Sequence, residues 1–220
     1  MQKLEDLGAE LRNAGKEGNV ETVSEILAQS EVNAETLNAK DNAGFTALLW
    51  AVDHGNVEVV KVLLDHRDSN REPLIDINEK NNKGHTGLMM ASMIGYVEIA
   101  DMILAQSEVN AETLNAKDNE GNTALIWAAN KGYIEVVRAL LAHRDSNGEP
   151  IIDINEKNIA DCTALMMASM LGYVEIADMI LAQPEANTET LNAKDNTGFT
   201  ALIWAVNQGK VEVVRALLGH

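Results

Sequence analysis

The side chains able to do chemistry are few and scattered along the chain. The histidines are His54, His66, His85, His143 and His220. None stands at ligand spacing from a second histidine or cysteine, as a zinc site would require. Cys162 is the single cysteine, which rules out an intramolecular disulfide and a thiolate metal cluster. No base lies near it in sequence to make it a thiolate nucleophile. Two runs imitate a calcium loop. From Asp145, DSNGEPIIDINE sets Asp145, Asn147, Glu149, Asp153 and Glu156 near the ligand positions of an EF-hand, and Asp68 opens a similar run ending at Glu79. The sixth position of each is Pro150 or Pro73, where that loop needs a glycine at positive φ that proline cannot adopt. Nucleophile elbows, phosphate-binding glycine loops and HExxH pairs do not occur. The expectation is a non-enzymatic chain with no cofactor and no metal.

The charge balance narrows the partners. The 220 residues carry 34 acidic and 17 basic side chains, a formal net charge of −17. Such a surface repels phosphate backbones and anionic headgroups, so neither nucleic acid nor a membrane is the expected partner. A protein with a basic surface would be steered in faster. The opening MQKLEDLGAE lacks the basic and apolar regions of a signal peptide, and no window reaches the length of a membrane span. A cytoplasmic, monomeric protein is expected.

The elements that must position any site are set by internal repetition. The segment GFTALLWAVDHGNVEVVKVLL from Gly44 returns from Gly84, Gly121, Asp161 and Gly198. Its threonines, Thr46, Thr86, Thr123, Thr163 and Thr200, step alternately by 40 and 37 residues, giving a 77-residue super-period. In each copy the threonine suits a hydroxyl N-cap, and a short apolar helix follows. A glycine (Gly55, Gly95, Gly132, Gly172 or Gly209) then stands where a left-handed stop is wanted. In the second helix Val136, Val137, Leu140 and Leu141 form one apolar stripe. Helices this short do not persist alone, so each must bury its stripe on a neighbour. Trp50, Trp127, Trp204, Met90 and Met167 share one position in the first helix, which argues for packing between repeats. His66 and His143 end equivalent second helices, where a cation is favoured.

At these residues the chain resembles the ankyrin-repeat family. The Thr-Pro-Leu-His start of that family is altered: Ala47, Ala124, Ala164, Ala201 or Gly87 replaces the proline, and Leu49, Met89, Ile126, Met166 or Ile203 the histidine. The later Asp-Val-Asn element survives as Asp76-Ile77-Asn78 and Asp153-Ile154-Asn155. The resemblance implies a mainly α, ankyrin-repeat solenoid of helix–turn–helix units forming one domain over 1–220. The expected repeats are an N-terminal cap over 1–37, then 38–77, 78–114, 115–154, 155–191 and 192–220. It also implies a protein-binding role through a concave face made of turn tips and first helices. Longer connections such as RDSNREP and RDSNGEP are expected to decorate a rim, since lengthening a loop costs little. The last helix, ending Ala216-Leu217-Leu218-Gly219-His220, lacks the polar outer face of a capping repeat. An alternative is therefore the recognition arm of a larger enzyme or of a bacterial effector delivered into a host cell. The near-identity of the super-repeats also suits an engineered scaffold.

Comparing the two super-repeats locates the expected contact residues. Residues 37–113 and 114–190 differ at 22 of 77 positions, crowded into the turns and first helices. Asn82-Lys83-Gly84-His85 becomes Ile159-Ala160-Asp161-Cys162, while VEIADMILAQ and HRDSN are kept. From the turns and helix ends the expected partner-binding set is Phe45, Asp53, His54, Lys83, His85, Met93, Ile94, Asn122, Asn130, Lys131, Ile159, Cys162, Met170, Leu171, Phe199 and Gln208. The Met93-Ile94 and Met170-Leu171 pairs are expected to face solvent, where apolar side chains mark a contact. Burying one gives about 1.5–3 kcal/mol, so a few suffice for a micromolar complex after association costs. Asp161 stands where its counterparts are glycine, implying a strained or rebuilt turn.

Overall fold

The computed structural model describes residues 2–220, with side chains from Asp6 onward. The helices are α1 (Gln2–Glu17), α2 (Val20–Leu27), α3 (Ala34–Leu37), α4 (Ala47–Asp53), α5 (Val57–Asp65), α6 (Gly87–Ile94), α7 (Val97–Leu104), α8 (Ala111–Leu114), α9 (Ala124–Lys131), α10 (Ile134–Ala142), α11 (Ala164–Leu171), α12 (Val174–Leu181), α13 (Thr188–Asn192), α14 (Ala201–Asn207) and α15 (Val211–Gly219). No strand forms among the described residues; two isolated bridges, Arg67 to Pro73 and Arg144 to Pro150, are the only β pairing. The chain is mainly α and built of repeated helix pairs, as the sequence requires.

The helices start and stop where their chemistry dictates. The hydroxyls of Thr46, Thr86, Thr123, Thr163 and Thr200 accept from the backbone N–H three residues on, at 3.2–3.3 Å. The first helices end before Gly132 and Gly172, which hold φ of 77° and 88°. At Gly132 a side chain is excluded twice over. The left-handed backbone disfavours it, and a Cβ would lie 2.7 Å from the ring of Tyr173 in the next repeat. The stripe foreseen in the second helix is buried at Val136, Val137, Leu140 and Leu141.

The described residues cluster into two compact units. One comprises Met1–Ala91 with Glu98–Val109, the other Ser92–Val97 with Asn110–His220. In the first, α1 packs on α4 and α2 on α5, and Leu11, Leu48, Leu49, Val60 and Leu63 fill the seam. In the second, the first helices pack α9 on α11 and α11 on α14. Their partners pack α10 on α12 and α12 on α15. The second unit also carries exposed Ile203, Val206, Val211 and Leu218 on α14 and α15. No described helix is long and apolar enough to cross a membrane.

Candidate functional site

The turns that precede the first helices are built on one Asp or Asn each. Asp41 Oδ1 accepts from the N–H groups of Ala43 and Phe45 at 2.8 and 2.9 Å, and the Gly44 N–H returns to the Asp41 carbonyl. Asn81, Asp118, Asn158 and Asp195 make the same local bonds. Within each unit successive turns also join. The N–H of Asn82 donates to Ala43, that of Ile159 to Glu120 and that of Asn196 to Ala160, at 2.9–3.1 Å. The tips are therefore fixed backbone that displays its side chains.

A pairing that sequence reasoning missed ties tip to helix. The indoles of Trp50, Trp127 and Trp204 donate to the second carboxylate oxygens of Asp41, Asp118 and Asp195, nine residues upstream, at 2.8–2.9 Å. Where the turn residue is Asn81 or Asn158, the helix position holds Met90 or Met167. An amide turned into the Asx bonds has no carboxylate oxygen left for an indole, so Asp goes with Trp and Asn with Met. The alternation stands in the sequence as a residue pair at fixed separation. The tryptophans are half-buried rather than sealed in the core. Burial pushes the carboxyl of Asp41 up, but the N–H of Phe45, the Trp50 indole, the N–H of Ala43 and the Arg12 charge together leave it below its ordinary value. At Asp195 burial is likewise outweighed, by Thr197, Phe199 and Trp204.

The expected contact residues fall into distinct environments. In the first unit Phe45 stacks against Trp50 with ring centroids 4.5 Å apart, and Trp50 lies 5.6 Å from the ring of His54. Lys16 caps the same indole at 4.6 Å, a cation–π contact. His54 and Asp53 are exposed, their side chains 3.5 Å apart, and Lys83 is exposed while His85 is half-buried. In the second unit Ile159 is 74% exposed at its tip, and Phe199 packs on Trp204 at 5.1 Å. Lys131 lies over Trp127 at 6.0 Å; it and Gln208 are exposed, and Asn130 is half-buried.

Three expectations change. Asn122 is 6% exposed, its amide held between Asp118 and Asn158, so its side chain is turned into the turn stack. Met93, Ile94, Met170 and Leu171 are half-buried rather than solvent-facing, because helix ends that abut the next hairpin cover one flank of each side chain. His66 does not favour the cation expected at a helix end: burial and the Arg67 guanidinium both push its pKa down. Asp161 does occupy the glycine conformation, with φ of 59°.

The chemistry-bearing groups are dispersed. Cys162 is half-buried, and its thiol is pushed up in pKa by burial and by Asp195 and Asp161, with Lys157 opposing. That is the reverse of what an attacking thiolate needs. The imitated calcium loops fold as hairpins. Asp145 Oδ1 accepts from Asn147 and Glu149 at 2.8 and 2.9 Å, and Asp68 Oδ1 from Asn70 and Glu72. No group of three or more His, Cys, Asp or Glu able to hold a metal ion occurs among the described residues.

Comparison with known proteins bears on the repeats as a whole. A family model described as ankyrin repeats in three copies matches residues 11–73, 72–158 and 147–220. No curated protein matches the chain. Two solved structures resemble it at 28% identity. One, described as EF0377, an ankyrin repeat protein, has a TM-score of 0.80 with 97% of this chain and 98% of that chain covered. The other, an ankyrin repeat domain (ABAYE2397) from Acinetobacter baumannii AYE, has a TM-score of 0.78 with 95% and 96% covered.

Proposed function

This chain belongs to the ankyrin-repeat family, and from that premise we propose that it is a non-enzymatic module that holds another protein on its turn tips and first helices. The family is generally one of protein interaction, and nothing in the dispersed histidines or the raised Cys162 thiol argues for catalysis. One observation carries the reading. Ile159 exposes a large aliphatic side chain, 74% accessible, on a tip whose backbone is pinned by the Asn158 amide and by the bond to Glu120. A rigid tip loses little entropy when a partner covers it, and an exposed apolar side chain there otherwise contributes nothing to folding. Phe45, His54, Lys83 and His85 serve the first unit's tips. Cys162, Met170, Leu171 and Phe199 flank Ile159 in the second. The net charge of −17 favours a partner with a basic surface.

Affinity capture with matched variants tests this. Wild type and Arg138→Ala, on an outer helix, should retain the same protein, and Ile159→Asp paired with Phe199→Ser should lose it. Equal capture by all three would remove the tips from the binding site.

A further inference from the structure

Away from the turn tips, the second unit has a concavity of about 520 Å³ between two connections that follow second helices. Pro150, Ile151, Ile152 and Ile154 make its apolar lining, and Asp153, Asn155, Glu185 and Asn187 supply its polar atoms. Two of those atoms, Asn155 Oδ1 and Glu185 Oε2, are shielded from solvent and accept no hydrogen bond. Leaving a buried acceptor unmatched is costly, more so for a charged group. Asn187 Oδ1 is already committed to capping α13 through Glu189 and Thr190. Asp153 Oδ1 receives the Asn155 N–H at 2.8 Å. Neither Asp153 nor Glu185 has a cationic partner among the described residues. Turning the Asn155 amide over would offer one N–H and still leave two carboxylates without a cation.

The first unit supplies a built-in control. Glu108 is the counterpart of Glu185 one super-period earlier, and its Oε2 accepts from the Ser107 hydroxyl at 3.1 Å. In the second unit Pro184 stands in place of that serine and has no hydroxyl to give. The internal donor has been lost while the acceptor remains.

We propose that this concavity is a binding site for a lysine side chain of a protein partner. Its apolar walls suit the four-carbon stem, and its unmatched acceptors suit an ammonium group with three diverging N–H donors. The planar arginine fork matches both oxygens of one carboxylate and fits separated single acceptors less well. The site lies apart from the turn tips and does not depend on their role.

Titrating the full chain with Nα-acetyl-lysine methylamide, read by ¹H–¹⁵N correlation spectra, tests the assignment. Nα-acetyl-norleucine methylamide, which has the stem without the charge, is the comparison. The lysine derivative should move the amides of residues 151–155 and 185–187 saturably, and the norleucine derivative should not. Affinity should fall at least fivefold in Glu185→Gln, which keeps the shape, and in Pro184→Ser, which restores the internal donor. Ser107→Pro should create a new response at residues 74–78. An equal response to norleucine, unchanged binding by Glu185→Gln and Pro184→Ser, or shifts spread over the whole acidic surface would each overturn the proposal.

Discussion

The two long connections contain a reciprocal experiment in backbone strain. The N–H of Asp68 bonds the Glu72 carbonyl at 2.9 Å and that of Arg71 returns to Asp68 at 3.0 Å; Asp145, Glu149 and Gly148 repeat both distances. The loops are thus matched, and both need a left-handed residue at the fourth position. The first places Arg71 there at φ of 67°, the second Gly148 at 83°. Nothing lies within 4 Å of where a Cβ on Gly148 would go, so only backbone conformation separates the two residues. A non-glycine residue in that region costs about 1–2 kcal/mol. Glycine gives back about 0.4–1 kcal/mol through its freer unfolded chain. Arg71→Gly should therefore stabilise by about 0.5–1 kcal/mol and Gly148→Arg should destabilise by about as much. The double exchange should return to wild type, since the sites lie in separate loops and effects of distant sites add. Urea unfolding followed by far-ultraviolet dichroism measures all three, with amide exchange at each hairpin locating the change. Two single variants of the same sign, or neither moving stability, would refute the strain argument.

Other consequences are as direct. Ser169 is fully buried in α11 and its hydroxyl has no partner, so Ser169→Ala should raise stability by about 0.5–1 kcal/mol in the same unfolding assay, the desolvation of an unmatched hydroxyl being removed. Asp161→Gly should also raise the thermal midpoint, by relieving φ of 59°, though less than Arg71→Gly because Asp tolerates that region better. Gly132→Ala should lower the midpoint, because its Cβ would meet the Tyr173 ring at 2.7 Å. Asp41 and Asp195 have folded pKa values below the ordinary 3.8. A lowered carboxyl contributes stability that is fully present above its unfolded value and is lost as pH falls through the folded one. Melting from pH 6 to pH 2 should therefore lose stability below about pH 4, and Asp195→Asn should flatten that slope; an unchanged slope would deny the carboxyl its role.

Much of this was legible because repetition multiplies weak signals. One Thr before an apolar run is poor evidence for an N-cap, but the same threonine in five registers with a glycine stop behind it fixed the helix pairs. The glycine conformation of Asp161 could be read the same way, from the glycines at Gly44, Gly84, Gly121 and Gly198. What failed was burial at the edges. Met170 and Leu171 are apolar whether or not a neighbouring hairpin covers them, and sequence does not say how far that hairpin reaches. Asn122 looked like a variable turn residue, and only coordinates place its amide between Asp118 and Asn158. The Asp–Trp and Asn–Met alternation was visible and went unread. Its partners are nine residues apart, too far for a helical contact, so the link needs the folded turn.

The central claim is that turn tips, Ile159 foremost, touch a partner protein. A photo-crosslinking amino acid at position 159, and separately at the outer-helix position 138, puts it to a direct test in lysate of the source organism. The account predicts a discrete adduct from position 159 that an Ile159-bearing competitor chain suppresses, with none from 138. Adducts only from 138, or none from 159 at any concentration, would contradict it.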